Sequence, residues 1–263
     1  GWNTAVGMYS LLNNTTGTNN TAIGYGALFT NTSSGNNTAN GYAALYNTTT
    51  GSNNTANGNM ALFSNTTGAY NTAIGHYALN KNTGDYNVAM GSDALSNNTS
   101  GYNNVAIGFS ALNTNTTAEK NTAIGTYALK LNTTGSYNTA IGNEALFSNI
   151  TGDANTAIGF AALYWNTASE NTAIGKNSLN KNTTGDNNTA VGSSALYLNI
   201  TGSNNTANGG GALERNTTGN YNTANGFQAL LTNTSGSNNT ANGFRALHDN
   251  TTGDNNIAIG GEA

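Results

Sequence analysis

The stretch from Asn20 to Asn36, NTAIGYGALFTNTSSGN, is one complete copy of a unit that fills the chain. Its opening motif recurs at Asn3, Asn20, Asn37, Asn54, Asn71, Asn87, Asn104, Asn121, Asn138, Asn155, Asn171, Asn188, Asn205, Asn222, Asn239 and Asn256. Successive copies start seventeen positions apart, except for two intervals of sixteen, from Asn71 to Asn87 and from Asn155 to Asn171. Written as a consensus, the unit is N-T-A-I-G-x-x-A-L-x-x-N-T-T-G-x-N. Asn at position 1, Ala at 3 and Gly at 5 hold in all sixteen copies, and Leu at 9 in all fifteen that reach it. Both short units have lost a residue in the N-T-T-G-x-N segment, as Asn82-Thr83-Gly84-Asp85-Tyr86 shows. Length variation confined to one segment marks it as a surface turn.

A unit of this length is too short for helix-pair repeats, which need about 33 to 47 residues. Neither half carries an apolar stripe at helical spacing, and a Gly in every unit would weaken a helix by roughly 1 kcal/mol each time. Two short extended segments per unit fit better: N-T-A-I-G, then x-A-L-x-x, separated by Gly-led corners. The N-T-T-G-x-N stretch supplies Asn and Gly, which accept positive φ and form tight turns. The expected fold is all-β, a parallel β-solenoid (β-roll) of about 17 residues per coil. Residues 1–263 form one repeat array of about 15.5 coils, a rod roughly 75 Å long at a strand spacing of about 4.8 Å. Stacking would place Leu11, Leu28 and Leu45 in one ladder, with Asn ladders at position 1 exchanging amide hydrogen bonds.

The composition excludes several classes. The 263 residues include 7 Lys+Arg, 11 Asp+Glu and no Cys or Pro. Seven basic residues spread over this length make no nucleic-acid footprint, and no thiol can form a disulfide or ligate a metal. No run approaches about 18 apolar residues, so no membrane insertion is expected in this segment, and no signal peptide opens the chain. No capping unit is visible at either end, so the array reads as a fragment of a longer fibre.

The apolar content per coil is only Ala, Ile, Ala and Leu, a thin core against the entropy of ordering about 17 residues. Position 4 is Asn at Asn40, Asn57, Asn208, Asn225 and Asn242, so it is not expected to lie in a dry core throughout. Burial of Leu and Ala faces between chains would supply the missing apolar contact. A homo-oligomer, a trimer or a filament, is therefore expected.

Ala22-Ile23-Gly24-Tyr25-Gly26-Ala27-Leu28 resembles the Ala-Ile-Gly-x-x-Ser/Ala repeat of YadA-like trimeric autotransporter adhesin heads. The longer unit with Asn-Thr-Thr-Gly looks like the repeat region of bacterial and phage-type proteins that carry a tail-fibre chaperone domain. The resemblance covers essentially the whole chain, although adhesin-head coils are commonly shorter than the unit found here. It implies a left-handed, trimeric β-roll exposed outside a cell or virion. The expected function is that of an extracellular fibre or adhesin segment, a rigid shaft or head mediating attachment. Surface glycans or a host receptor are the expected partners. A self-assembling, N-glycosylated filament is the first alternative and an ice-binding solenoid the second, the latter from the Thr column at position 2.

Catalytic material is sparse, and neither an enzyme nor a cofactor is expected. His76 and His248 occupy different unit positions, ten coils apart. Asp85, Asp153, Asp186 and Asp254 recur in the turn, one per coil at most, without the Gly-Gly-x-Gly-x-Asp unit of a calcium roll; no metal site is expected. Asn-x-Ser/Thr occurs more than twenty times, for example at Asn14, Asn31, Asn65, Asn132, Asn149, Asn182, Asn199, Asn216 and Asn250. Positions 12 and 17 are expected in an exposed turn where a glycan could fit, although an Asn/Thr-rich turn generates sequons by composition alone. Rings recur at positions 6 and 10: Tyr25, Phe29, Tyr42, Tyr46, Phe63, Phe109, Phe147, Phe160, Tyr164 and Tyr197. Such columns either stack on sugars or receptors, or cover a seam between chains.

Overall fold

The computed structural model describes residues 1–263. The chain forms two compact units, Gly1–Thr134 and Gly135–Ala263. The first carries eight three-residue strands, β1 (Thr4–Val6) to β8 (Thr122–Ile124). The second carries eight more, β9 (Thr139–Ile141) to β16 (Ile257–Ile259). Within each unit the strands pair in chain order, parallel and in register, as in Thr21↔Thr38, Ala22↔Ala39 and Ile23↔Asn40. The two shorter coils keep this register, with Thr72 opposite Val88 and Thr156 opposite Thr172. The deletion is absorbed by the turn. The protein is thus a parallel β-solenoid of about 17 residues per coil, with no helix.

The strand is short because only residues 2 to 4 alternate. From β2 to β15, Ala at position 3 points inward and is fully buried, while positions 2 and 4 face out, as in the exposed, buried, exposed pattern of Thr38–Asn40. Outward projection explains why Asn replaces Ile at position 4 without a buried amide to satisfy.

The second extended segment expected from the sequence does not form. Positions 8 and 9 are consecutive yet both buried, for example Ala44 and Leu45, each without exposed surface. Neighbours on a strand point to opposite faces, so an extended backbone would force one of the pair into water. The chain instead runs through successive turns, with positive φ at positions 7 and 9, such as 52° at Ala43 and 51° at Leu45. This conformation costs a non-glycine residue about 1–2 kcal/mol. Burial of the Leu side chain offsets it by about 1.5–3 kcal/mol, and the backbone still bonds to its neighbour, Leu28 N–H donating to Ala44 O at 3.1 Å. Gly at position 5 turns the corner: at Gly24 φ is 125°, and an added Cβ would stand 2.5 Å from the Gly41 carbonyl oxygen.

The core lies inside a single coil. Ala at 3, Ala at 8 and Leu at 9 are buried against their equivalents above and below, together with the Asn columns at positions 1 and 12. The Leu and Ala faces assigned from the sequence to contacts between chains are therefore already filled within one chain. That premise for self-association is corrected: two inward amide columns complete a core that looked too thin from its apolar residues alone.

Candidate functional site

The inward amides are bonded in two patterns. At position 1 the backbone N–H donates to the side-chain oxygen one coil earlier, Asn37 N to Asn20 Oδ1 at 3.0 Å. The position 1 amide donates across the coil to the carbonyl at position 15 of the same unit, Asn188 Nδ2 to Gly202 O at 2.8 Å. At position 12 the amides form a direct ladder, Asn199 Nδ2 to Asn182 Oδ1 at 2.8 Å and Asn216 Nδ2 to Asn199 Oδ1 at 2.7 Å. The same Asn199 amide also donates to Gly202 O at 2.8 Å. One carbonyl thus ties two corners of the coil together.

This bonding overturns the sequence reading of position 12 as an exposed glycan acceptor. Asn31, Asn65, Asn132, Asn149, Asn182, Asn199 and Asn216 have no exposed surface, and Asn14 and Asn250 are half-buried. A glycan at a buried amide would break the ladder and open the coil. Exposed sequons remain at position 17, at Asn19, Asn36, Asn53, Asn187, Asn204 and Asn238, and at position 11 at Asn13, so the glycosylated-filament alternative rests on exposed sites outside position 12.

The expected ring columns are present and behave differently. At position 6 the rings are exposed, and Tyr25 stacks on Tyr42 with centroids 5.4 Å apart; Phe109 and Phe160 are likewise exposed. At position 10 Phe29, Tyr46, Phe63, Phe147, Tyr164 and Tyr197 are half-buried. Phe29 stacks on Tyr46 at 4.8 Å, and Phe147 on Tyr164 at 5.0 Å. Burial, reinforced by the nearby Glu144 carboxylate, raises the Tyr164 hydroxyl above its ordinary pKa.

The turn acids have partners of their own. Along position 16 of the second unit each side chain caps the N–H of the preceding coil: Ser136 N to Asp153 Oδ1 at 2.6 Å, Asp153 N to Ser169 Oγ at 3.0 Å, and Ser169 N to Asp186 Oδ1 at 2.8 Å. The relay continues through Ser203, Asn220 and Ser237 to Asp254. His76 packs edge-on against Tyr77, and His248 Nδ1 lies 2.7 Å from Asp249 Oδ1. No group of three or more His, Cys, Asp or Glu is placed to hold a metal ion.

The threonines sort into two kinds. Thr at position 13 is structural: Thr217 Oγ1 donates to Thr234 O at 2.8 Å. Thr at position 2 instead leaves its hydroxyl to solvent. In the second unit Thr139, Thr156, Thr172, Thr189, Thr206, Thr223 and Thr240 form an unbroken outward column with no side-chain hydrogen bond to the protein. The composition made all these threonines look alike; only bonding separates them. Comparison with protein-family models and with curated proteins returned no match to the chain.

Proposed function

We propose that the chain is a non-enzymatic, extracellular segment of a bacterial or phage fibre, a stiff spacer that also presents attachment surfaces. The observation that carries this reading is the continuity of bonding around each coil. Strand, arc and Asn-Thr-Thr corner all donate backbone hydrogen bonds to a neighbouring coil, as at Thr21, Leu28 and Thr15. Buried amide columns reinforce the corners. A coil held along its whole perimeter offers a protease no loop that opens alone, and the exposed Tyr25 and Tyr42 rings supply a surface for ligands. Digestion of the purified chain with subtilisin tests the spacer role. The expected result is an intact band after hours at native temperature; early cleavage at many Asn-Thr-Thr turns would rule a protease-exposed spacer out.

A second reading, ice binding, is favoured by the Thr column at position 2, whose hydroxyls are spent on nothing within the protein. Parallel strands space these hydroxyls regularly, about 4.8 Å apart. The competing explanation is the preference of β-branched residues for strands, supported by Val88 and Val105 at the same position. Thermal hysteresis of the purified protein decides between them: a freezing gap lost in Thr172→Lys supports ice binding, and its absence from the parent protein leaves only strand propensity.

A further inference from the structure

Two columns on one wall of the second unit depart from the repeat at the same place. At position 13 the Thr183 hydroxyl donates to Ile200 O and the Thr217 hydroxyl to Thr234 O, both at 2.8 Å. Ile200 stands in that column, forgoes the corresponding bond and leaves 45% of its surface exposed. At position 11, Trp165 is 48% exposed and Leu198 37%. An exposed apolar side chain in place of a hydrogen-bonding threonine does nothing for the coil, and apolar residues gathered on a surface mark a contact site. Together with Lys181, Thr183 and Thr217 these residues line an open groove of about 510 Å³.

The lining restricts what can bind. Lys181 Nζ sits 5.6 Å from the centre of the Trp165 ring. Arg215 lies outside the lining, two coils beyond Lys181 in the position 11 column, about 9.6 Å along it, and adds positive charge at a distance. Neither cation forms an ion pair within the protein, and they are two of only 7 Lys+Arg in a chain of net charge −4. The Thr183 and Thr217 protons are committed to backbone carbonyls, so the rim offers their oxygens as acceptors. A fitting ligand brings a flat apolar face for the indole, hydroxyl donors for the rim and a negative charge for the cations. A fatty-acid anion lacks the hydroxyls, and a neutral sugar lacks the charge.

We propose that this groove binds an acidic sugar residue of a glycan, a uronic or sialic acid, with its ring stacked on Trp165 and its carboxylate held by Lys181. The proposal rests on the attachment role for its setting and gives it a ligand class; its failure would leave the protease-resistance test of the spacer role untouched.

The test uses the full chain carrying Trp2→Phe, so that Trp165 is the sole tryptophan. It is titrated with trigalacturonate and 3′-sialyllactose, with maltotriose as neutral control and octanoate as an anion without hydroxyls. A saturable change in Trp165 emission is expected with at least one acidic sugar, at least about tenfold stronger than with either control; the two acidic arms identify the sugar. By calorimetry, Trp165→Ala and Lys181→Gln are expected to weaken binding about tenfold, with melting curves unchanged, while Trp165→Phe retains affinity within about threefold. Absence of binding by both acidic sugars, equal binding of maltotriose or octanoate, or full affinity in Trp165→Ala or Lys181→Gln would overturn the proposal.

Discussion

At the scale of the residue, the decisive feature is a buried asparagine that turns polarity into cohesion. An unpartnered buried amide costs about 1–3 kcal/mol, while a satisfied one contributes about 1 kcal/mol per hydrogen bond. Position 12 satisfies most of its amides by stacking, although the Asn65 Oδ1 is buried without a partner, and the column carries one substitution. Thr48 stands where the other coils carry Asn; it is fully buried, and its Oγ1 has no hydrogen-bond partner. Thr48→Asn would place an amide between Asn31 and Asn65, within reach of the Gly51 carbonyl that Asn37 already engages. The expected outcome is a gain of about 1 kcal/mol, read as a rise of roughly 2–4 °C in Tm. Thr48→Val, which only removes the orphaned hydroxyl, is expected to be neutral or mildly stabilising. A lower Tm for the Asn variant would show that the ladder does not govern stability at this corner.

At the scale of the element, each coil is one strand and two bonded arcs. The x-A-L-x-x segment reads as a strand because its residues are apolar and short-range periodicity cannot tell a strand from a curled segment. Only the simultaneous burial of positions 8 and 9 reveals the curl. The other arc is held by the position 16 relay, in which Ser alternates with Asp or Asn. Asp153 and Asp186 are thereby kept two coils apart, about 9.6 Å, close to the screening length at about 0.1 M salt. Asp186→Ala removes the cap on Ser169 N–H and is expected to lower stability by about 1 kcal/mol. Asp186→Asn should match the parent, because Asn220 already caps Ser203 N–H at 2.8 Å. Thermal denaturation measures both, and an equal loss in Asn would assign the effect to charge instead of the cap.

At the scale of the whole molecule, filling the core within one coil moves the question of self-association to outward surfaces. Position 4 presents Ile74, Met90, Ile107 and Ile124 in the first unit, and Ile141, Ile158, Ile174 and Val191 in the second, all partly or fully exposed. These columns and the exposed rings at position 6, rather than Leu and Ala, are apolar surfaces available to a second copy. The trimer implied by the resemblance predicts sedimentation at three times the 26.8 kDa of one chain. Ile107→Asn with Ile158→Asn copies the Asn already present at position 4 of other coils, and is expected to return a trimer to single chains without loss of secondary structure. Sedimentation of the parent protein at the mass of one chain would end the trimer reading.

The sequence by itself determined the repeat and hence the coil. Sixteen copies of Asn, Ala and Gly at fixed positions admit only a stack in which each residue meets its own kind, and the two shortened units located the turn that absorbs deletions. It also identified the ring columns and the outward tolerance of position 4. What only the tertiary structure decided was which polar residues go inside. Asn31 and Asn36 are the same residue type in the same corner, yet one is buried in a ladder and the other faces water. Composition assigns both to a surface turn, because the burial of an amide depends on a partner within about 3 Å, and that partner lies one coil away. The Trp165 groove escaped the sequence for the same reason: its residues come from four different coils, and their convergence on one wall exists only once the coils are stacked.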